Sequence, residues 1–204
     1  MNKDILKKEN EAVTDRVKEE IIEGAEIAFK KYGYTRVTMQ DISKEAKKVR
    51  STVYKYFDNK TEVLNAVTGK IMSAILKDCS TVVSKRRSFS ANIDQYFRRK
   101  LENIKLLVSD YELLVNDLKT DPGLIILKSR TMLEDELLLM GTMIQWAMEN
   151  DDIKSLSDED RLFLAETLHT AFKSFEMEII LFGRFPNYED KLSWLAQLLQ
   201  KGLS

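Results

Sequence analysis

Residues 38–57 read TMQDISKEAKKVRSTVYKYF, and the rest of the chain arranges itself around them. Thr38 and Asp41, three residues apart, make a capping-box-like pair, which opens a helix by satisfying its first free backbone N–H groups. Met39, Ile42 and Ala46 supply that helix with an inner face. Lys47-Lys48 then reads as a tight turn. A short basic helix follows over about 49–57, with Val53 and Phe57 pointing inward. Helix, tight turn and second short helix is the order of a helix-turn-helix unit. The second helix of such a unit offers its N-terminal turn to the DNA major groove. Here that turn carries Arg50, Ser51 and Thr52, followed by Tyr54, Lys55 and Tyr56. Arg50 has the fork geometry for guanine, and Thr52 suits a thymine methyl or a phosphate. Lys48, Tyr54, Lys55, Tyr56 and Lys60 have the reach for backbone phosphates, and the helix start at Thr38 offers N–H groups to another.

Upstream, Val17, Ile21, Ala25, Ala28, Phe29 and Tyr32 recur at three and four, one apolar stripe of a helix from Thr14 that Gly33 stops. Residues 1–13 are short, polar and mixed in sign, and read as a flexible arm. Downstream, Asn59 or Thr61 caps a long connector helix through Val63, Leu64, Val67, Ile71, Ile75 and Leu76. Longer helices are expected near 89–108, 110–120, 122–150, 157–183 and 188–202, with Pro122 in a first turn and Ser157–Asp160 as a second capping box. The expected division is an arm over 1–13, a helix-turn-helix domain over 14–58 and a helical body over 59–204.

Composition agrees with an all-α fold. Only 7 Gly and 2 Pro occur in 204 residues, too few turn signals for a sandwich, a barrel or a βαβ unit. Net charge is −1, yet residues 30–60 hold nine basic side chains against Asp41, Glu45 and Asp58, a local surplus of +6. Such a concentration is an electrostatic footprint for nucleic acid, although a solvated basic face is the blander reading. One cysteine, Cys79, excludes an internal disulfide framework and fits a reducing compartment. With no apolar signal segment at the start and no stretch of membrane-spanning length, the expectation is a cytoplasmic protein that does not enter a membrane.

These residues resemble the N-terminal signature of TetR-family transcriptional regulators. The likeness rests on Thr38 to Ala46, Ser51 to Phe57 and Asn59 to Leu64, with Phe29, Gly33 and Tyr34 preceding at the family's usual spacing. It spans about residues 14–64, under a third of the chain. The resemblance implies a homodimer that binds a palindromic operator on double-stranded DNA, represses transcription, and is released by a small-molecule effector held in the C-terminal body. Carried over by position, Gln40 and Arg50 face bases, while Thr38, Thr52, Tyr54, Tyr56 and Lys60 mostly meet phosphates. The chain departs from the family where Lys47, Lys48 and Val49 stand in place of a glycine, an apolar residue and a serine-like cap. Lys47 must then take a left-handed conformation at a cost of about 1 kcal/mol, and Val49 cannot cap.

In the body, Met72, Cys79, Tyr96, Tyr111, Trp146, His169, Phe172 and Glu176 are candidates to line a partly apolar effector cavity. Ordinary core packing accounts for each of them taken singly. His169 is the only histidine and has no second ligand at metal spacing, so neither metal nor cofactor is expected. No phosphate loop or nucleophile elbow suggests an enzyme. The last two helices carry a second apolar edge, Leu164, Ala171 and Leu181 on one, Trp194 and Leu198 on the other. That edge suits either a dimer interface or a central place in the monomer. Two further readings stay open: a regulator without a small-molecule effector, and a helical adaptor that has lost operator binding.

Overall fold

The computed structural model describes residues 2–121 and 130–204, with side chains described for 14–121 and 133–204. Its helices are α1 (Asn2–Arg36), α2 (Met39–Glu45), α3 (Arg50–Tyr54), α4 (Lys60–Ser80), α5 (Phe89–Asp110), α6 (Glu112–Thr120), α7 (Arg130–Glu149), α8 (Asp158–Ile180) and α9 (Tyr188–Leu203), and no strand occurs among the described residues. The fold is all-α, as the shortage of Gly and Pro requires. Pro122 and the expected helix start there lie outside the described residues. Helix α1 begins at Asn2, well before the expected start at Thr14.

Two compact units make up the chain. The first is Met1–Lys70 with Asp110–Lys128, the second Ile71–Ser109 with Ser129–Ser204. Helix α6, expected in the C-terminal body, therefore belongs with the head.

The core of the first unit is the apolar stripe read from the sequence: Ile21, Ala25, Ala28 and Phe29 of α1, Ile42 of α2, Val53 of α3, and Val63 and Val67 of α4 are all buried. Two features let these short helices approach. Gly24 faces the end of α2 so closely that a Cβ there would stand 2.3 Å from the Cα of Ala46. Gly33 (φ 71°) breaks the line of α1, and Asp117 of α6 holds the chain beyond it. The Asp117 carboxylate accepts from the backbone N–H of Tyr34 at 2.6 Å and of Thr35 at 2.9 Å, and from the Thr35 hydroxyl at 2.6 Å. Burial alone would raise this carboxyl, but those three donors outweigh it and hold it below its ordinary value.

In the second unit α5, α7, α8 and α9 bury Phe89, Ile93, Tyr96, Phe97, Met143, Ile144, Phe172 and Leu192 in one core. The Phe97 and Phe172 rings stack with centroids 3.3 Å apart. Ser157 caps α8 through the Asp160 N–H, as the sequence pair predicts. Asp151 (φ 58°) ends α7, in the Asn150-Asp151-Asp152 break.

Candidate nucleic-acid interface

The geometry of the head is set by how α2 ends and α3 begins. Thr38 caps α2 with both arms of a capping box: the Asp41 N–H donates to Thr38 Oγ1 at 3.2 Å, and the Thr38 N–H donates to the Asp41 carboxylate at 2.9 Å. The Thr38 hydroxyl and N–H together pull the Asp41 carboxyl below its ordinary value. At the other end, the Lys48 N–H reaches the carbonyl of Ser43 at 3.0 Å and the Lys47 N–H that of Lys44 at 3.1 Å. These paired bonds form a Schellman stop, which places the residue after the cap in the left-handed region. That residue is Lys47, with φ 53°. Val49 then stands at the N-cap of α3 with no side-chain bond to the helix start. Both expected costs of the departure at 47–49 are present, and the turn closes nevertheless.

The result is a five-residue helix whose first N–H groups have no side-chain cap. Arg50 opens it, exposed, with its guanidinium 5.3 Å from the Tyr54 ring centroid and Nη2 donating to the Tyr54 hydroxyl at 3.2 Å. Ser51, Tyr54 and Lys55 are exposed beside it, Thr52 and Tyr56 half-buried, while Val53 and Phe57 anchor the inner side. Gln40 and Thr38 are exposed at the start of α2. Residues predicted to meet DNA thus gather along one short segment and its flank.

The basic surplus is partly spent inside the head. Lys48 pairs with Glu20 of α1 at 2.5 Å, and that bond is the leading reason the Glu20 carboxyl is lowered. Lys31 pairs with Glu45 at 3.2 Å, and Lys30 with Glu26 and Asp110. Lys60, expected at a phosphate, instead donates to the Tyr34 carbonyl at 2.8 Å, with the Thr35 and Val37 carbonyls at 3.4 Å, and lies 4.5 Å from the Tyr34 ring centroid. Its ammonium closes the carbonyl end of α1, a use that only the folded chain reveals. Arg36, Lys44, Lys47 and Lys55 make no ion pair among the described residues.

The candidate cavity residues divide. Met72 and Tyr96 line a cavity of about 20 Å³ in the second unit, with Ile75, Leu76, Cys79 and Lys100. His169 and Glu176 reach the same polar cluster from α8. Phe172 is stacked on Phe97, and Trp146 is half-buried against the core without lining the cavity. Tyr111 does not join them. It sits in the first unit between α5 and α6, where the break in the helix resets the face, and Lys30 lies 4.7 Å from its ring centroid. Burial raises its hydroxyl pKa, as burial pushes the Cys79 thiol up to about 12.

Two charged residues missed in the sequence complete that cluster. Lys100 and Glu136 are 3% and 5% exposed. Their signal was available: Lys100 stands within the stripe Ile93, Phe97, Leu101, and Glu136 four residues before Met140.

Of the expected interface edge, Trp194 (61% exposed) and Leu198 (51%) stand open, Ala171 is exposed, and Leu164 and Leu181 are half-buried. Phe182, read as an inner residue, is exposed because it follows the end of α8, past Leu181. Phe163 is exposed too. No helix among the described residues is long and apolar enough to cross a membrane, and none of their side chains form a metal-binding group.

Residues 21–67 match the family described as bacterial regulatory proteins, tetR family. No curated protein matches the chain in sequence. Solved structures share its fold over nearly its whole length. A TetR-family transcriptional regulator from Pectobacterium atrosepticum aligns over 94% of this chain and 96% of its own with a TM-score of 0.67 at 17% identity. SmeT, repressor of the Stenotrophomonas maltophilia multidrug efflux pump SmeDEF, aligns over 90% and 87% with a TM-score of 0.58 at 17% identity. The fatty acid degradation regulator FadR of Bacillus halodurans aligns over 90% and 92% with a TM-score of 0.61 at 14% identity. At these identities the likeness is one of fold. With the family match lying on the helix-turn-helix head and this fold carrying the rest, the chain belongs to the TetR family of regulatory proteins.

Proposed function

We propose that the protein is a one-component repressor that binds a palindromic operator as a homodimer and leaves it when a small molecule occupies the second unit. The observation that carries the DNA half is the exposed N-terminal turn of α3, where Arg50 is steadied on Tyr54 and Lys55 stands unpaired among the described residues. Arg50 is the base reader, with Gln40 beside it at the start of α2. Thr38, Ser51, Thr52, Tyr54, Lys55 and Tyr56 position the backbone. Lys48 contributes through its pair with Glu20, and Lys60 supports the head from within.

A homodimer would pair through the exposed apolar edge of α8 and α9, Ala171, Trp194 and Leu198, to which Phe163 and Phe182 add. Two half-sites about 34 Å apart need such pairing. An effector can act only by binding the released state better than the DNA-bound one. A second reading, a regulator without a small-molecule effector, is favoured by the closeness of packing around Phe97 and Phe172 and by a cavity with room for about one water.

Selection of random duplex DNA on the purified protein at two salt concentrations tests the DNA half. Recovery of one palindrome is expected. Arg50→Ala should relax preference at one base position by about 1–3 kcal/mol, and Lys55→Ala should flatten the salt dependence by about one ion. Weak binding that salt erases, with no common motif, would instead favour an adaptor.

A further inference from the structure

The interior of the second unit holds an unbalanced set of charges. Lys100 of α5, Glu136 of α7 and Glu176 of α8 are each more than nine-tenths buried. The Lys100 ammonium touches both carboxylates, bonding Glu136 Oε1 and standing 2.8 Å from Glu176 Oε1. The Tyr96 hydroxyl donates to Glu136 Oε1 at 2.7 Å. Burial would raise the Glu136 carboxyl, yet His169, Lys100 and Tyr96 hold it far below its ordinary range. With His169 counted neutral, two carboxylates face one ammonium, and Asp135 at the cavity wall adds another negative charge.

Burying an ion pair rarely stabilises a fold relative to apolar packing, and burying an odd charge costs more. One further polar atom points into the same place. Nδ1 of His169, on a side chain 7% exposed, makes no hydrogen bond and faces Glu136 Oε2 at 3.4 Å. The adjoining cavity is walled by Met72, Ile75, Leu76 and Cys79, an apolar margin in which Met72 and Leu76 are only half-buried. Methionine in particular re-packs at little cost.

We infer that this cluster is a recognition site for a small amphipathic cation, an amine whose ammonium joins Lys100 between Glu136 and Glu176 while its apolar body displaces Met72 and Leu76. The inference rests on the effector reading above and names the chemistry of that effector. An anionic ligand would have to expel a carboxylate from Lys100, and a neutral one would leave the charge uncompensated. Because the resting cavity has room for about one water, the amine binds only an opened form of the unit. It thereby carries the differential affinity that release from DNA demands.

The test uses the full chain and three matched series of rising length: phenylalkylamines, the corresponding phenylalkanols, and the corresponding phenylalkanoates. Thermal melting and calorimetry read binding. The amines alone should raise the melting temperature saturably, and Glu176→Gln and Glu136→Gln should each weaken them about tenfold or more. Lys100→Met should bind amine more tightly than the parent, because the competing ammonium is gone. Should that variant fail to fold, the matched series on the parent chain still decides the matter. Equal or tighter binding of the alcohols or carboxylates overturns the cationic assignment while an effector remains. Failure of all three series overturns the site. If a neutral or anionic compound then still releases the selected operator, the effector reading survives without it.

Discussion

The two units use charged side chains in opposite ways. In the first, carboxylates and ammonium groups sit at helix ends: Asp41 on the start of α2, Asp117 on the backbone beyond Gly33, Lys60 on the last carbonyls of α1. Each meets backbone groups that a helix terminus leaves unpaired, so each contributes by completing the accounting of hydrogen bonds. In the second unit, Lys100, Glu136 and Glu176 meet one another inside an aromatic and aliphatic core. There the charges define a place more than they support a fold. A head whose task is to hold a rigid shape has its polarity at the joints; a body proposed to sense a ligand keeps its polarity at the centre.

The sharpest way to break that contrast is Lys100→Met. Left with two buried carboxylates and no partner, the second unit should lose about 3–5 kcal/mol, whereas neutralising Glu136 and Glu176 as glutamines in the same chain should restore most of it. Both tryptophans, Trp146 and Trp194, lie in the second unit, so their emission follows its unfolding. Acid should reach the same cluster. A depressed carboxylate contributes stability that is complete above its unfolded pKa and is lost as pH falls through the folded one. The urea midpoint read by tryptophan should therefore hold from pH 7 to about 4.5 and decline below it, where Glu136 is titrated.

Gly24→Ala comes next. Its methyl would collide with the backbone of Ala46, at about 1–3 kcal/mol of overpacking in the first unit. Affinity for the selected operator should drop while the tryptophan midpoint stays in place. A midpoint that moved in step would mean the units unfold as one, and the contrast between them would be weaker than stated. Lys47→Gly is the smallest change and the only gain: relief of the left-handed lysine should stabilise the head by about 1 kcal/mol, seen as a later loss of DNA binding on heating.

What could be read from the sequence follows how far apart the interacting residues stand. Thr38 with Asp41 and Ser157 with Asp160 are three residues apart, and their caps were legible. So were the head core and the strain at Lys47, because helical period and turn chemistry are local. Asn59, with Thr61 an open alternative, proves to cap α4 by accepting from the Glu62 N–H at 3.0 Å. Lys60 was misjudged because its partners stand 23 to 26 residues away and are backbone carbonyls, which leave no mark in a sequence. Tyr111 was misplaced because helical phase does not carry across the break between α5 and α6. Lys100 and Glu136, 36 residues apart, were visible as charges on apolar stripes, but their meeting was not.

The Asp117 contact has a further consequence, for the order in which the protein is made. Its carboxylate binds backbone 82 and 83 residues earlier, so the head is a discontinuous piece of chain. A ribosome that has released α1 to α4 has not yet supplied α6, and all of α5 must emerge in between. The nascent head therefore waits, incomplete at the segment beyond Gly33, until the chain has passed Asp117. Chains truncated before that point should present a recognition helix on a scaffold that has not been fastened.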